Sequence, residues 1–369
     1  MGNNRGAKSG PRARAAVLLL AAATACLAAS CDEEELQYLL QQAPGQAELL
    51  MGRVPFERML KDPDLDPAVR DQLEFVLEVK RYGVEKIGLT SNKNYEVYKE
   101  VDRDAVVWNL TAAEPLSMTP LTWDFPVVGK VPYLGFFDQK DADQKAAELS
   151  LQGHDVYLRT AGAYSMLGIV ADPLYSTLLK MSDADLANLV LHEMTHGTVF
   201  IKGQMEFNEN LALFVGNQGS YNYLRARFGA DSPQARYAVD SNEDDKLFGR
   251  EIMKLYNELD VMYQTDIPDD QKRLKKALII AAHKKHFRDD VIPLMKTRQY
   301  DKWPDKDINN ATVISRVVYF HDLTLYEDIY RAKDSDLKAE VDFFKGVMAM
   351  KGVNPEEYAK DWLTKKDSG

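Results

Sequence analysis

Residues 186–200 read LANLVLHEMTHGTVF, and inside them His192-Glu193-Met194-Thr195-His196 forms an HExxH pattern. Ser182 or Asp183, just upstream, supplies the N-cap expected of a helix start. On that helix the two histidines stand at i and i+4, one turn apart on one face, so both imidazoles can reach a single zinc ion. Glu193 is then aimed at water rather than at the metal, where a carboxylate can serve as general base. The bland alternative is two histidines packed on a helix face beside a solvated glutamate. The capped amphipathic setting favours the metal reading.

A catalytic zinc needs a third protein ligand and an open position. Position 202, where a third histidine would close one common pattern, is Lys202. A glutamate on a following helix is the other solution, and Glu206 and Glu209 are the candidates. If the chain turns back near Gly203, His196 lies roughly 10 Å before the turn and Glu209 roughly 9 Å after it, whereas Glu206 lies only roughly 5 Å past it. Glu209 is therefore level with the histidines. Asn208 or Asn210 can orient a ligand by hydrogen bonding, and Asn208 can equally cap the second helix.

Outward from this motif, the N-terminus reads as an address. Residues 1–14 hold Arg5, Lys8, Arg12 and Arg14 and no acid, residues 15–30 are small and apolar, and Cys31 is followed by Asp32-Glu33-Glu34-Glu35. That is a secretory signal, and its junction resembles a bacterial lipobox with Cys31 as the lipidated residue. The expected product is an exported protein, lipid-anchored in the cell envelope and facing the periplasm. The chain of 369 residues carries 46 Lys+Arg against 57 Asp+Glu, a net charge of −11. Such acidity disfavours nucleic acid as a partner. Two cysteines, both within the first 31 residues, leave metal binding to His and carboxylates.

The remaining pattern predicts an α+β architecture, mostly helical. The expected divisions are a signal at 1–30, a helical region at 31–105, a catalytic core at 106–230 and a helical region at 231–369. Residues 36–50 look helical with a break at Pro44-Gly45. Asp66-Pro67 starts an amphipathic helix ending near Tyr82. β-branched and aromatic runs between Val106 and Ser165 predict strands, with a hairpin turn at Gly129-Lys130 and a helix from Lys140 closing on Gly153. From Asp183 onward the chain reads as helices.

With these residues in view, the sequence resembles the bacterial family of predicted aminopeptidases in the gluzincin-like group of zinc peptidases. HExxH followed by Phe207-Asn208-Glu209 carries the resemblance. So do Val107-Trp108-Asn109, Trp123-Asp124-Phe125-Pro126-Val127-Val128-Gly129, Gly135-Phe136-Phe137-Asp138, Gly153-His154-Asp155-Val156, residues 163–168 (AYSMLG) with Asp172-Pro173, and Asn309-Asn310-Ala311 with Tyr319. It implies a zincin-like fold, a small mixed or antiparallel sheet before the HExxH helix, and zinc-dependent peptide hydrolysis with His192, His196 and Glu209 as ligands and Glu193 as base. Three features depart from the wider pattern. Only 12 residues separate His196 from Glu209, the GxMEN amine-recognition sequence is absent, and Gly216 stands where an acidic residue is expected after Phe214-Val215.

An extended peptide substrate is expected to lie along the strand Asp155–Ser165, with Gly162-Ala163 permitting close approach. Tyr164 and Tyr319, then His321, are the candidate donors to the oxyanion of the transition state. His154 is expected to cap a strand, and His283 and His286 to sit on a solvated basic helix face. The expected partners are a peptide substrate and, through the lipid, a membrane. Two other readings compete: a non-catalytic zinc-binding lipoprotein scaffold, and an endopeptidase using the same machinery.

Overall fold

Helices begin where the sequence caps them. In the computed structural model, which describes residues 33–125, 129–162, 164, 171–317 and 322–367, Asp66 accepts from the backbone N–H groups of Ala68 and Val69 and starts the helix Pro67–Tyr82. Ser182 accepts from Asp185 N and starts Asp183–His196. Cys31, Ala163, Tyr319 and His321 lie outside the described residues.

In chain order the helices are α1 Glu33–Leu50, α2 Phe56–Leu60, α3 Pro67–Tyr82, α4 Gln139–Leu151, α5 Asp183–His196, α6 Met205–Phe228, α7 Pro233–Tyr263, α8 Asp269–His286, α9 Asn310–Val317, α10 Thr324–Ala332, α11 Leu337–Met348 and α12 Pro355–Asp367. The strands are β1 Val54–Pro55, β2 Val97–Lys99, β3 Val107–Ala113, β4 Trp123–Phe125, β5 Gly129–Val131, β6 Leu134–Phe136, β7 Asp155–Ala161 and β8 Leu174–Tyr175. One antiparallel sheet runs β6-β3-β7, with Trp108 opposite both Phe136 and Thr160. A second, mixed sheet runs β1-β2-β8, and β4 pairs with β5. The described chain is thus mostly helical with small sheets, an α+β arrangement.

Two local expectations give way to tertiary contacts. The helix α1 runs through Pro44 without the break at Pro44-Gly45. An internal proline costs a helix about 3 kcal/mol, but this one is tied down on both sides. Tyr38 donates to Gly135 O at 2.6 Å and Gln42 accepts from Phe137 N at 3.1 Å, while Glu48 pairs with Arg103 at 3.0 Å. Gly129-Lys130 is not the hairpin turn either. Both lie in β5, paired antiparallel with β4, where Gly129 stands opposite Phe125 and Lys130 opposite Asp124.

One apolar cluster reaches from Leu49 to Ala359 and joins the N-terminal, central and C-terminal expected segments. The helix α5 sits in it. Leu186, Ala187, Val190, Leu191, Met194 and Thr195 are buried, leaving the stripe through Asn188, His192 and His196 partly open. Burying a Leu or Val side chain contributes about 1.5–3 kcal/mol, so this face fixes the helix and decides which side the histidines occupy.

Candidate metal centre

The helix α5 ends at His196 itself, with Gly197 as its C-cap. Helix spacing predicts the reversal near Gly203, seven residues later. Past the C-cap, Thr198 holds the chain off the helical path: its hydroxyl donates to the end carbonyl Met194 O at 2.7 Å and accepts from Thr90 N at 2.8 Å. Residues 197–204 form the return, with Gly203 at φ +81°, a conformation glycine adopts at no steric cost. Asn208 clamps that return: its carboxamide accepts from Ile201 N and donates to Ile201 O, both at 2.9 Å. It therefore neither caps α6, which starts at Met205 after Gln204, nor touches a ligand candidate. Asn210 donates to Glu356 at 3.3 Å.

The short return brings Glu209, one turn into α6, against the histidines. His192 Nε2 and His196 Nε2 are 3.1 Å apart, and the Glu209 carboxylate lies 3.6 Å from the first and 3.5 Å from the second. Among the described residues these three form the one group of His, Cys, Asp or Glu whose ligand atoms lie close enough to hold a metal, within 4.8 Å of one another. Nitrogen and oxygen ligands at the usual zinc distances stand roughly 3.3 Å apart in a tetrahedron, so the three separations fit zinc. A ring proton between the imidazoles would satisfy one contact only. A divalent cation satisfies all three lone pairs at once.

Burial pushes the His196 pKa down to about 4, with His192 lowering it further and Glu209 opposing. The ring is neutral near pH 7, the state a metal ligand requires. His196 Nδ1 is buried without a hydrogen-bond partner among the described residues. Burial raises the Glu193 carboxyl above its ordinary value, against the pull of His192; Asp172 and Glu209 push in the same direction. A carboxylate with raised proton affinity is a better base near neutrality.

The other expected residues lie at varying distances from this centre. Tyr164 packs edge-on to Phe137, its hydroxyl accepting from Gln46 at 3.4 Å and its carbonyl from Tyr175 at 3.2 Å. Its charged neighbour is Asp172, which also adjoins Glu193. Gly162 O accepts from Thr177 at 2.5 Å at the end of β7. The strand β7 is at the edge of its sheet, but near its start Asn309 donates to Val156 O at 3.0 Å, so helix α9 covers that end. His154, just before β7, lies 3.7 Å from Glu114. His283 departs from expectation: it is buried, and its Nε2 accepts from Trp303 Nε1 at 3.1 Å. The space that an acidic residue at 216 would fill belongs to Asn188, whose Oδ1 lies 2.5 Å from where a Cβ at Gly216 would stand.

Sequence reading missed Asp172 as a neighbour of Glu193. It sits 21 residues upstream of Glu193, just before β8, with its backbone hydrogen-bonded to Asn94 and Tyr95.

Two histidines and a glutamate on a helix-turn-helix, with a second glutamate beside them, define a candidate metal-dependent hydrolase centre. Residues 37–361 match the family model described as "Putative aminopeptidase", and the chain belongs to that family. No curated protein and no solved structure gave a match to the chain.

Proposed function

We propose that the protein is a zinc-dependent peptidase of zincin-like type, acting as an aminopeptidase outside the cytoplasm. The observation that carries this reading is the convergence of His192, His196 and Glu209 at 3.1–3.6 Å. These three would hold the ion. Bound there, zinc supplies Lewis acidity, polarising the scissile carbonyl and making an attacking water more acidic. Glu193 takes the proton of that water and returns it to the departing amine; burial, which raises its proton affinity, suits it to both transfers. Tyr164 is the proposed donor toward the oxyanion, since burial keeps its hydroxyl protonated. A peptide would enter along the end of β7 at Gly162.

We further propose that Cys31 is lipidated and tethers the enzyme to a membrane, facing the periplasm. Among the described residues no helix is long and apolar enough to cross a membrane. Incorporation of labelled palmitate, abolished in Cys31→Ser, tests the tether.

The deciding experiment is elemental analysis of the purified protein, followed by digestion of free and N-acetylated peptide libraries. Zinc at about one ion per chain, with trimming of free amino termini only, is the expected result. Equal cleavage of both libraries makes the protein an endopeptidase. Zinc without any cleavage makes it a binding scaffold. Glu193→Gln should keep the zinc and lose about 10²–10⁴-fold in turnover; retained turnover sinks the assignment of the base.

A further inference from the structure

The two-stranded ribbon β4–β5 carries Trp123 and Phe125 on one face, because alternate residues of a strand share a side. Both side chains stay partly open to solvent. They line a cavity of about 530 Å³ between α1, β4 and α4, a volume within the range of about 300–1,000 Å³ typical of small-molecule sites. Buried Leu134 and Phe136 line it from β6. Tyr38 of α1 fixes the aromatic side. Its hydroxyl donates to Gly135 O at 2.6 Å and accepts from Gly135 N at 3.1 Å. Its ring lies 5.6 Å from Phe125 and, edge-on, 5.5 Å from Phe136.

The polar lining comes from helix faces. Asp141, Gln144, Lys145 and Glu148 stand at i, i+3, i+4 and i+7 on α4, and Gln37 and Gln41 at i and i+4 on α1. Lys145 donates to Glu148 at 3.1 Å, so its charge is matched within the lining. The three glutamines are exposed, and none of their side-chain amides hydrogen-bonds to a described residue. Each amide offers two N–H donors and a carbonyl acceptor. Aromatic surface beside unspent donors and acceptors complements a sugar ring, whose C–H face is apolar and whose hydroxyls both donate and accept. An anion would meet Asp124 and Asp141 with the one lysine already paired. A simple cation would use the carboxylates and leave the amide donors idle.

We propose that this cavity is a saccharide site. A neutral oligosaccharide lies with one ring against Trp123 and Phe125 and with its hydroxyls on Gln37, Gln41, Gln144 and Asp141. The site shares no residue with the metal centre, so it stands independently of the peptidase reading.

Calorimetric titration of the full chain with cellotriose, maltotriose and tri-N-acetylchitotriose tests this. At least one should bind saturably, with a Kd of about 1 mM or tighter. Trp123→Ala should weaken that binding about tenfold. The double variant Gln41→Ala/Gln144→Ala, at exposed helix positions, should weaken it by a similar factor, about tenfold, at an unchanged thermal midpoint. It decides alone if Trp123→Ala does not fold. Binding of none of the three sugars, or parental affinity in either folded variant, overturns the proposal. So does tighter binding of tetramethylammonium than of any of the sugars, which would make the aromatic lining a cation site.

Discussion

The chain carries two helix-borne histidine pairs, and they have opposite fates. His192 and His196, at i and i+4 on α5, turn Nε2 atoms toward each other at 3.1 Å and share a carboxylate from α6. His283 and His286, at i and i+3 on α8, diverge. His283 is buried and accepts from Trp303 Nε1, and His286 pairs with Glu251 at 3.3 Å and Asp290 at 2.9 Å. Each imidazole of the second pair already has its own partner. Spacing alone therefore does not make a metal centre. What distinguishes the first pair is that its nitrogens are left facing one another, with a third donor delivered by a separate helix.

The sharpest way to break this comparison is to remove one histidine from each pair. His192→Ala should abolish zinc binding, whereas His283→Ala should leave zinc content unchanged, both by elemental analysis of the purified variants. Zinc retained at parental level in His192→Ala would remove the ligand assignment, and zinc lost in His283→Ala would relocate the site.

The second pair has its own signature, in acid. Burial pushes the His283 pKa down to about 4, against about 6.5 in an unfolded chain. The unfolded state therefore binds the proton more readily. The stability that neutral His283 contributes is complete above pH 6.5 and is lost as pH falls from there to about 4, a loss of up to about 3 kcal/mol. His283→Gln, which keeps an acceptor for Trp303 but does not titrate there, should flatten that part of the profile. Urea unfolding at pH 7 and pH 4.5 measures it, and equal slopes in parent and variant would show that another group is responsible.

The same contrast explains what the sequence could disclose. HExxH, the Ser182 and Asp66 caps and the level of Glu209 depend on contacts within a few residues or on helix arithmetic, and they are legible without coordinates. The helix running through Pro44 is held by Gly135 and Phe137, roughly ninety residues away. His283 is buried because Trp303, edge-on, and Phe287, tilted, pack around it. Asp172 adjoins Glu193 from a segment that hydrogen bonds to Asn94 and Tyr95 and the parallel pairing of two short strands, β8 and β2, hold in place. Strands that short leave no periodic trace. Even the correct level of Glu209 had a partly different cause: the helix ends at His196 and the return, not a longer helix, spans the gap.

The finest test of the comparison acts on the packing that unites the first pair with its third donor. Gly216 lies on α6 seven residues after Glu209, two turns on and therefore on the same face, against Asn188, which is one turn before His192 on α5. A Cβ there would stand 2.5 Å from Asn188 Oδ1 and 3.1 Å from its backbone oxygen. The amide has little room to yield, because its Nδ2 donates to Asn217 at 2.6 Å and Asn217 in turn donates to Asn242 at 3.1 Å. In Gly216→Ala the helices must part, costing about 1–3 kcal/mol and drawing Glu209 away from the imidazoles. The expected outcome is weaker zinc binding in a chelator competition, with the fluorescence of Trp303 beside His283 unchanged. A variant that binds zinc as the parent does would mean that the return loop clamped by Asn208, rather than the close approach at Gly216, holds Glu209 in place.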